Sequence, residues 1–178
     1  IGLFVDGVAV SNSDGEVSVI FDQTPFYSES GGQVSDIGII EGKTFRANVI
    51  SMSKAPHGQH LHHLEILYGT INIGDELTLA IDAKFRRNVM LNHSATHFLH
   101  RALEDVLGGN VAQAGSYVGP DYLRFDFNHN ERVSPLQVEQ IELVVNNYIS
   151  DAIALEIKFM TLNEAQKLGA KAQFVDKY

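Results

Sequence analysis

Short runs in which apolar and polar residues alternate fill the first 84 residues, which is the pattern of half-buried β-strands. The run over residues 4–10 leads through turn residues 11–15 into a second run at 17–22, so we predict a hairpin there. Further strands, separated by turns, are predicted at 37–40, 44–51, 60–67 and 76–82. Many short strands at this spacing predict a small β-barrel or a strongly curved sheet.

From residue 85 the pattern changes to a helical period. We predict a helix over 85–107 that ends at Gly108, because glycine is the commonest residue just beyond a helix. Two strands are predicted after it, at 111–118 and 122–127, on either side of a turn at 119–121.

A second helix start stands at Ser134, because serine is a favoured N-cap and Gln137 completes a capping box. This helix is predicted to run to about Ser150. A strand at 155–160 follows, and then a short helix that begins at Thr161-Leu162-Asn163-Glu164 and stops at Gly169. The order of these elements predicts helices packed on an open, mainly antiparallel sheet.

We therefore expect an α+β fold of two domains. Residues 1–84 would form a small β-barrel-like unit with a Gly-rich loop, and residues 85–178 a helix-on-antiparallel-sheet unit. No internal repeat or low-complexity tract interrupts this division.

Composition excludes several classes of protein. The 178 residues include no cysteine, which rules out a disulfide framework, an iron–sulfur cluster and a complete Cys-containing zinc site within them. The formal net charge is −9, and the first 84 residues hold 4 basic and 11 acidic side chains, which argues against a broad basic surface for nucleic acid. No stretch approaches the ~20 apolar residues of a membrane helix, and we expect a cytoplasmic protein without a membrane partner. A first residue other than Met leads us to expect an excised or processed segment.

The sharpest candidate for chemistry is the pair His93 and His97. Residues i and i+4 share one face of a helix, so both imidazoles could reach one metal ion. The apolar residues of this helix cluster on the other side, which leaves two interpretations open: a metal site, or two solvated histidines on an exposed face. The residue after His93 is Ser94, so the His-Glu-x-x-His pattern of metalloproteases is absent.

Other candidates are weaker when taken singly. His57, His60, His62 and His63 could form a metal site, but a partly exposed strand of aromatic character explains them better. Gly31-Gly32 lets the backbone approach a ligand closely or simply makes a turn. Gln113 could hydrogen-bond a substrate or the backbone. On the next strand Arg124 and Asp126 share a face and could pair.

Five segments that follow one another along the chain form a more specific pattern together. They are Thr24-Pro25-Phe26-Tyr27-Ser28-Glu29-Ser30-Gly31-Gly32-Gln33, Asn92-His93-Ser94-Ala95-Thr96-His97-Phe98-Leu99-His100, Gln113-Ala114-Gly115-Ser116, Leu123-Arg124-Phe125-Asp126-Phe127 and Thr161-Leu162-Asn163-Glu164-Ala165. Taken in order, these segments closely resemble the editing domain of alanyl-tRNA synthetase. The resemblance covers nearly the whole chain, and freestanding alanyl-tRNA editing proteins and threonyl-tRNA synthetase editing domains share parts of it.

The resemblance implies hydrolysis of the ester that joins a wrong amino acid, serine or glycine, to tRNA(Ala). It implies a zinc site in which His93 and His97 are two of four ligands. The other two belong to a Cys-x-x-x-His segment that this chain lacks, so we expect a fragment that ends before it, with weak zinc binding and little activity.

The resemblance also implies roles for individual residues. Thr96 and Gln113 would be the catalytic residues that distinguish serine from alanine, and Gly31, Gly32 and Gln33 would bind substrate. Such a site can recognise the serine hydroxyl, which alanine does not offer. The expected partners are the aminoacylated 3′ end of tRNA(Ala) and other domains of the synthetase. Two alternatives stay open: a freestanding editing protein, and a catalytically inactive tRNA-binding module, which the acidic charge and the missing ligands would suit.

Overall fold

Among the described residues, nine strands precede the first helix and form one large sheet with a small ribbon beside it. In the computed structural model, which describes residues 2–109, 111–154 and 156–170, the large sheet is antiparallel with the order β2-β1-β4-β7-β6-β5-β9, and β3 pairs with β8. The strands are β1 (Gly2–Val5), β2 (Val8–Val10), β3 (Asn12–Ser13), β4 (Val17–Ile20), β5 (Gly38–Glu41), β6 (Arg46–Lys54), β7 (His60–Tyr68), β8 (Ile71–Asn72) and β9 (Thr78–Ile81).

The predicted hairpin has its turn at residues 11–15, and this position is wrong. The run at 4–10 is two strands, because Asp6 and Gly7 have φ values of 49° and 78° and reverse the chain between β1 and β2. Positive φ at both central residues is the type I′ geometry that twisted hairpins favour. This turn places β2 outside β1, so β4 pairs with the other side of β1.

The expected barrel does not close. Over the described residues, β2 pairs only with β1 and β9 only with β5, so the sheet has two free edges. Closure would require these two edge strands to pair, and each has only three or four residues. The α+β class stands, with an open antiparallel sheet in place of the barrel-like unit.

The described part of the second half contains three helices and a two-stranded sheet. They are α1 (Ala83–Leu107), β10 (Ala112–Val118), β11 (Leu123–Asn128), α2 (Pro135–Ser150) and α3 (Leu162–Lys167). Caps explain the helix bounds: the Asp82 side chain accepts from the amide of Phe85 at 2.9 Å, and both Ser134 and Thr161 form capping boxes. The strand predicted at 155–160 is wrong over residues 156–160, which form neither strand nor helix; Leu155 lies outside the described residues.

Two clusters of buried apolar side chains hold these elements together. The first lies in the large sheet and includes Leu3, Ile40 and Leu64, each at most 1% exposed. The second lies between α1, α2, β10 and β11 and is built around Ala102 and Leu103. In the described part of the chain, no helix combines the length and the apolar character that crossing a bilayer requires.

Candidate functional site

A cavity of about 540 Å³ opens where three distant stretches of the chain meet. They are the loop before β5, the middle of α1, and the strands β10 and β11. The residues that line it are Tyr27, Ser30, Gly31, Gly32, His93, Thr96, His97, His100, Gln113, Ala114, Gly115, Ser116, Val118 and Phe125.

The histidine pair on α1 points into this cavity. The ring centroids of His93 and His97 are 5.3 Å apart, with the ring planes inclined at 45°. The side chains of Leu99, Ala102 and Leu103 pack into the second apolar cluster on another face of the helix. The 3.6-residue period therefore separates a face that holds the fold from a face that serves the cavity.

The hydrogen bond at His93 and the surroundings of His97 bear on what these two imidazoles can bind. Nδ1 of His93 donates a hydrogen bond to Oε1 of Gln33 at 2.6 Å, which leaves the Nε2 lone pair of the neutral ring available. Burial lowers the pKa of His97, and the nearby rings of His93 and His100 lower it further. Neutral imidazole is the form that binds a metal ion.

These two side chains fit zinc as a partial set of ligands. Imidazole nitrogens suit zinc, and the hydrogen bond from Nδ1 of His93 to Gln33 is the kind of outer contact that orients a ligating histidine. Within the residues that the structure describes, no three His, Asp or Glu side chains converge as a metal site would require. Among the described residues, these two imidazoles are therefore the candidate ligands, and a tetrahedral site would need two more.

Thr96 lies between the two histidines and lines the same cavity. Its side chain is 8% exposed, and its hydroxyl donates to the carbonyl of Asn92 at 2.8 Å in the preceding turn of α1. The proton of this hydroxyl is therefore engaged, whereas the oxygen keeps lone pairs that can accept a hydrogen bond. A bound molecule would meet Thr96 as an acceptor.

The segment of residues 24–36, here called the Gly-rich loop, forms the opposite wall and lies along β10. The amide of Val118 donates to the carbonyl of Gly32 at 2.8 Å, and the amide of Val34 donates to the carbonyl of Val118 at 3.0 Å. A Cβ atom on Gly32 would lie 2.3 Å from the carbonyl oxygen of Ser116, so only glycine permits this approach.

The strand β10 supplies the third wall. Its pairing with β11 shifts register between Gln113 and Gly115, which marks a bulge beside the cavity. The hydroxyl of Ser116 donates to the carbonyl of Gly31 at 3.3 Å and so connects this wall to the Gly-rich loop. Gln113 lines the cavity from the strand, as its place in the sequence motif leads one to expect.

The Gly-rich loop is also tied to α1 by a buried ion pair. Asp36 is 2% exposed; its carboxylate accepts from Nε of Arg86 at 2.7 Å and from a terminal nitrogen of the same guanidinium. Arg86 donates to the carbonyl of Pro25 at 3.1 Å as well. Asp36 raises the pKa of Arg86, and its carboxylate accepts from the amide of Tyr27 at 2.7 Å.

Two members of the second histidine group, His60 and His62, secure the same loop, and the group forms no metal cluster in the described residues. His62 is fully buried between Phe21 and Phe26, and burial lowers its pKa. Its Nδ1 donates to the carbonyl of Val19 at 3.0 Å, so Nε2 accepts from the hydroxyl of Thr24 at 2.7 Å. His60 and His63 also pair with hydroxyls: His60 with that of Ser28 at 2.6 Å, and His63 with those of Ser18 and Ser53 at 2.9 Å.

Six of the seven residues singled out in the sequence line the cavity: Gly31, Gly32, His93, Thr96, His97 and Gln113. The seventh, Gln33, lies behind His93 and contacts its ring rather than the cavity. Sequence reasoning did not assign a role to His100, which follows His97 by three residues on the same helix face. Its ring centroid lies 5.0 Å from that of Phe125, with the ring planes inclined at 37°. The three-residue spacing of His97 and His100 was the signal in the sequence that could have identified it.

Comparison with known proteins places these motifs in a family. A family model described as tRNA synthetases class II (A) matches residues 3–85. An alanine–tRNA ligase of Geobacillus thermodenitrificans is 48% identical over 163 residues, which cover 92% of this chain and 19% of that enzyme.

Similar matches come from other bacteria. An alanine–tRNA ligase of Listeria monocytogenes is 48% identical over 98% of the chain and 20% of the enzyme, and one of Thermotoga maritima is 46% identical over 93% and 19%. The chain therefore spans about a fifth of the length of these relatives.

Proposed function

The chain belongs to the alanyl-tRNA synthetase family, of which it matches one segment, and from that premise we propose that its cavity hydrolyses the ester between a wrongly attached amino acid and tRNA(Ala). The wrong amino acids are serine and glycine. The observation that carries the proposal is the convergence of the Gly-rich loop, the two histidines and Gln113 on one cavity from three distant stretches of sequence.

The chemistry suits a site built for positioning. Water adds to the ester carbonyl, and the bond to the 3′-terminal ribose breaks to release the free amino acid and the tRNA hydroxyl. An ester is already activated, so the site needs an oriented water and polar groups near the carbonyl oxygen more than a covalent nucleophile. His93 and His97 would hold a zinc ion together with ligands from elsewhere, and its Lewis acidity could activate water or anchor the substrate.

Selectivity for serine follows from the hydrogen bonding of Thr96. Its proton is engaged by the carbonyl of Asn92, so its oxygen can accept from the hydroxyl of a seryl group. The side-chain amide of Gln113 offers a further polar contact in the same cavity. Alanine has no hydroxyl to place there, and the site gains nothing by binding it.

The proposal requires partners that this chain does not contain. tRNA(Ala) must deliver its 3′ end, and other segments of the synthetase must supply most of the phosphate contacts, because the chain carries a net charge of −9. Such a protein would work in the cytoplasm, where tRNA is charged. We also propose that residues 1–84 and 85–178 act as two units, which the two separate apolar clusters support.

The test is deacylation of seryl-tRNA(Ala) and alanyl-tRNA(Ala) by the complete protein that carries this segment. Thr96→Val removes the hydroxyl at similar volume, whereas Thr96→Ser keeps it and serves as the matched control. Loss of one hydrogen bond of about 1–3 kcal/mol in the transition state should lower the preference for the seryl ester by about 5- to 150-fold in Thr96→Val. Gln113→Ala should act in the same direction.

Two outcomes would contradict this proposal. Unchanged selectivity in both Thr96→Val and Gln113→Ala would remove the assigned roles. A wild-type protein that binds tRNA(Ala) without releasing serine would show an inactive binding module instead.

A further inference from the structure

The Gly-rich loop touches α1 at two points that lie on one face of the helix. Asp36 pairs with Arg86, and Gln33 accepts from His93. Arg86 and His93 are related as i and i+7, so the two contacts are separated by about 10.5 Å along the helix axis. Two such contacts fix where the loop sits along the helix, which one contact alone would not do.

The contact at Arg86 is the stronger of the two. The guanidinium engages both carboxylate oxygens of Asp36 and also the carbonyl of Pro25. Asp36 is nearly inaccessible to water. It also connects the two ends of the loop, because its amide donates to the carbonyl of Tyr27 at 3.0 Å and its carboxylate accepts from the amide of Tyr27. A bidentate pair in such surroundings has geometric specificity that a lysine cannot reproduce.

We propose that Arg86 is a positioning residue for the hydrolysis proposed above, acting through Asp36 to hold the Gly-rich loop in register with His93. Arg86 does not line the cavity. Its effect on the reaction passes through Asp36 to the loop, then through Gln33 to Nδ1 of His93. This inference rests on the proposed function, because it concerns the rate of that reaction.

The effect should fall on kcat. A displacement of about 1 Å in a site built on positioning can lower the rate of the chemical step by about 100-fold, while the binding of the distant parts of a tRNA is unaffected. Arg86→Gln should therefore lower kcat for seryl-tRNA(Ala) by about 10- to 100-fold, with KM within about threefold of wild type.

The experiment compares variants in the complete protein. Arg86→Lys keeps a positive charge beside the buried carboxylate, which protects the fold, but it lacks the planar fork and should show an intermediate loss. Arg87→Gln removes an exposed neighbouring charge and should leave kcat unchanged. Asp36→Asn combined with Arg86→Gln should be no slower than the slower single variant, since the pair acts as one unit.

The possible results separate the two proposals. A wild-type protein that does not release serine refutes the proposed function. An active wild type with unchanged kcat in Arg86→Gln overturns the inference alone. A loss of activity that follows the folded fraction of each variant, measured by circular dichroism, also overturns the inference, because it would show a structural role without positioning.

Discussion

Replacing Gly32 by alanine should detach the Gly-rich loop from β10, whereas the same change at Gly31 should leave the loop in place. Both glycines have positive φ, 61° at Gly31 and 82° at Gly32. A Cβ on Gly31 meets nothing within 4 Å, so the change there adds only the strain of an alanine in the left-handed region, about 1 kcal/mol.

At Gly32 the added methyl collides with backbone. The ideal Cβ position is 2.3 Å from the carbonyl oxygen of Ser116, so the loop and β10 must separate. Separation breaks the hydrogen bonds of Val118 to Gly32 and of Val34 to Val118, each of which contributes about 0.5–1.5 kcal/mol. Together with the backbone strain, the change should cost about 2–4 kcal/mol of loop docking.

Hydrogen–deuterium exchange measures this directly. The amide of Val118 donates to Gly32, so its exchange should accelerate by about 30- to 900-fold in Gly32→Ala and by no more than about fivefold in Gly31→Ala. The amide of Gly108, which donates to Glu104 at the end of α1, is the internal control and should not change. Equal acceleration of the Val118 amide in both variants would refute the steric argument.

Further predictions concern pH, a helix cap and the metal. Because burial lowers the pKa values of His62 and His97 below 6.5, the unfolded chain binds more protons than the folded one, and the free energy of unfolding should fall as pH drops from about 7 toward 5. His62 alone can contribute up to about 1.4 kcal/mol per pH unit. A urea midpoint that is constant over this range would contradict the prediction. Ser134→Ala should lower the free energy of unfolding by about 1 kcal/mol, since it removes the cap that accepts from Gln137, and Ser134→Asp should restore it in the same denaturation assay. Zinc should bind the 178-residue chain weakly and only through His93 and His97; calorimetry that shows tight binding, or equal binding after His93→Gln, would contradict the ligand count.

Local signals in the sequence were sufficient for the helices of the second half. The helix that ends at Gly108, the capping box at Ser134 and the capping box at Thr161 all appear where the sequence predicts them. Caps and stop residues act on the few backbone groups beside them, so their effect is readable without knowing the rest of the fold.

Features set by distant pairing were not predictable in the same way. Over the residues that the structure describes, the edge strands β2 and β9 do not pair, so the barrel stays open. In the same residues no strand pairs with 156–160, so their alternation alone does not make them a strand. The turn at Asp6-Gly7 is different, since the Asp-Gly dipeptide is a strong hairpin signal that is overlooked when residues 4–10 are assigned to one strand.

The same distinction applies to the site. The His-x-x-x-His spacing predicts that both rings lie on one face of a helix, and in the structure both rings line the cavity from α1. The pair of Asp36 and Arg86 has no such periodic signal, because the two residues are 50 positions apart and belong to different elements. Gln33 was identified from its motif alone, which could not show that it faces a histidine rather than the cavity.

Contacts of the Gly-rich loop can change the shape of the cavity without unfolding the protein. Neither apolar cluster depends on the glycines, since the first is built in the large sheet and the second between α1, α2 and the β10–β11 pair. The loop contributes Phe26, which is 3% exposed, to the first cluster. Its other anchoring contacts are polar: Thr24 on His62, Asp36 on Arg86 and Val34 on Val118. Polar contacts are directional and individually modest, so losing one can displace the cavity wall while both cores stay folded. Variants at the two glycines and at these polar contacts should therefore lose activity before they lose structure, whereas variants at Phe26 should weaken the first cluster directly.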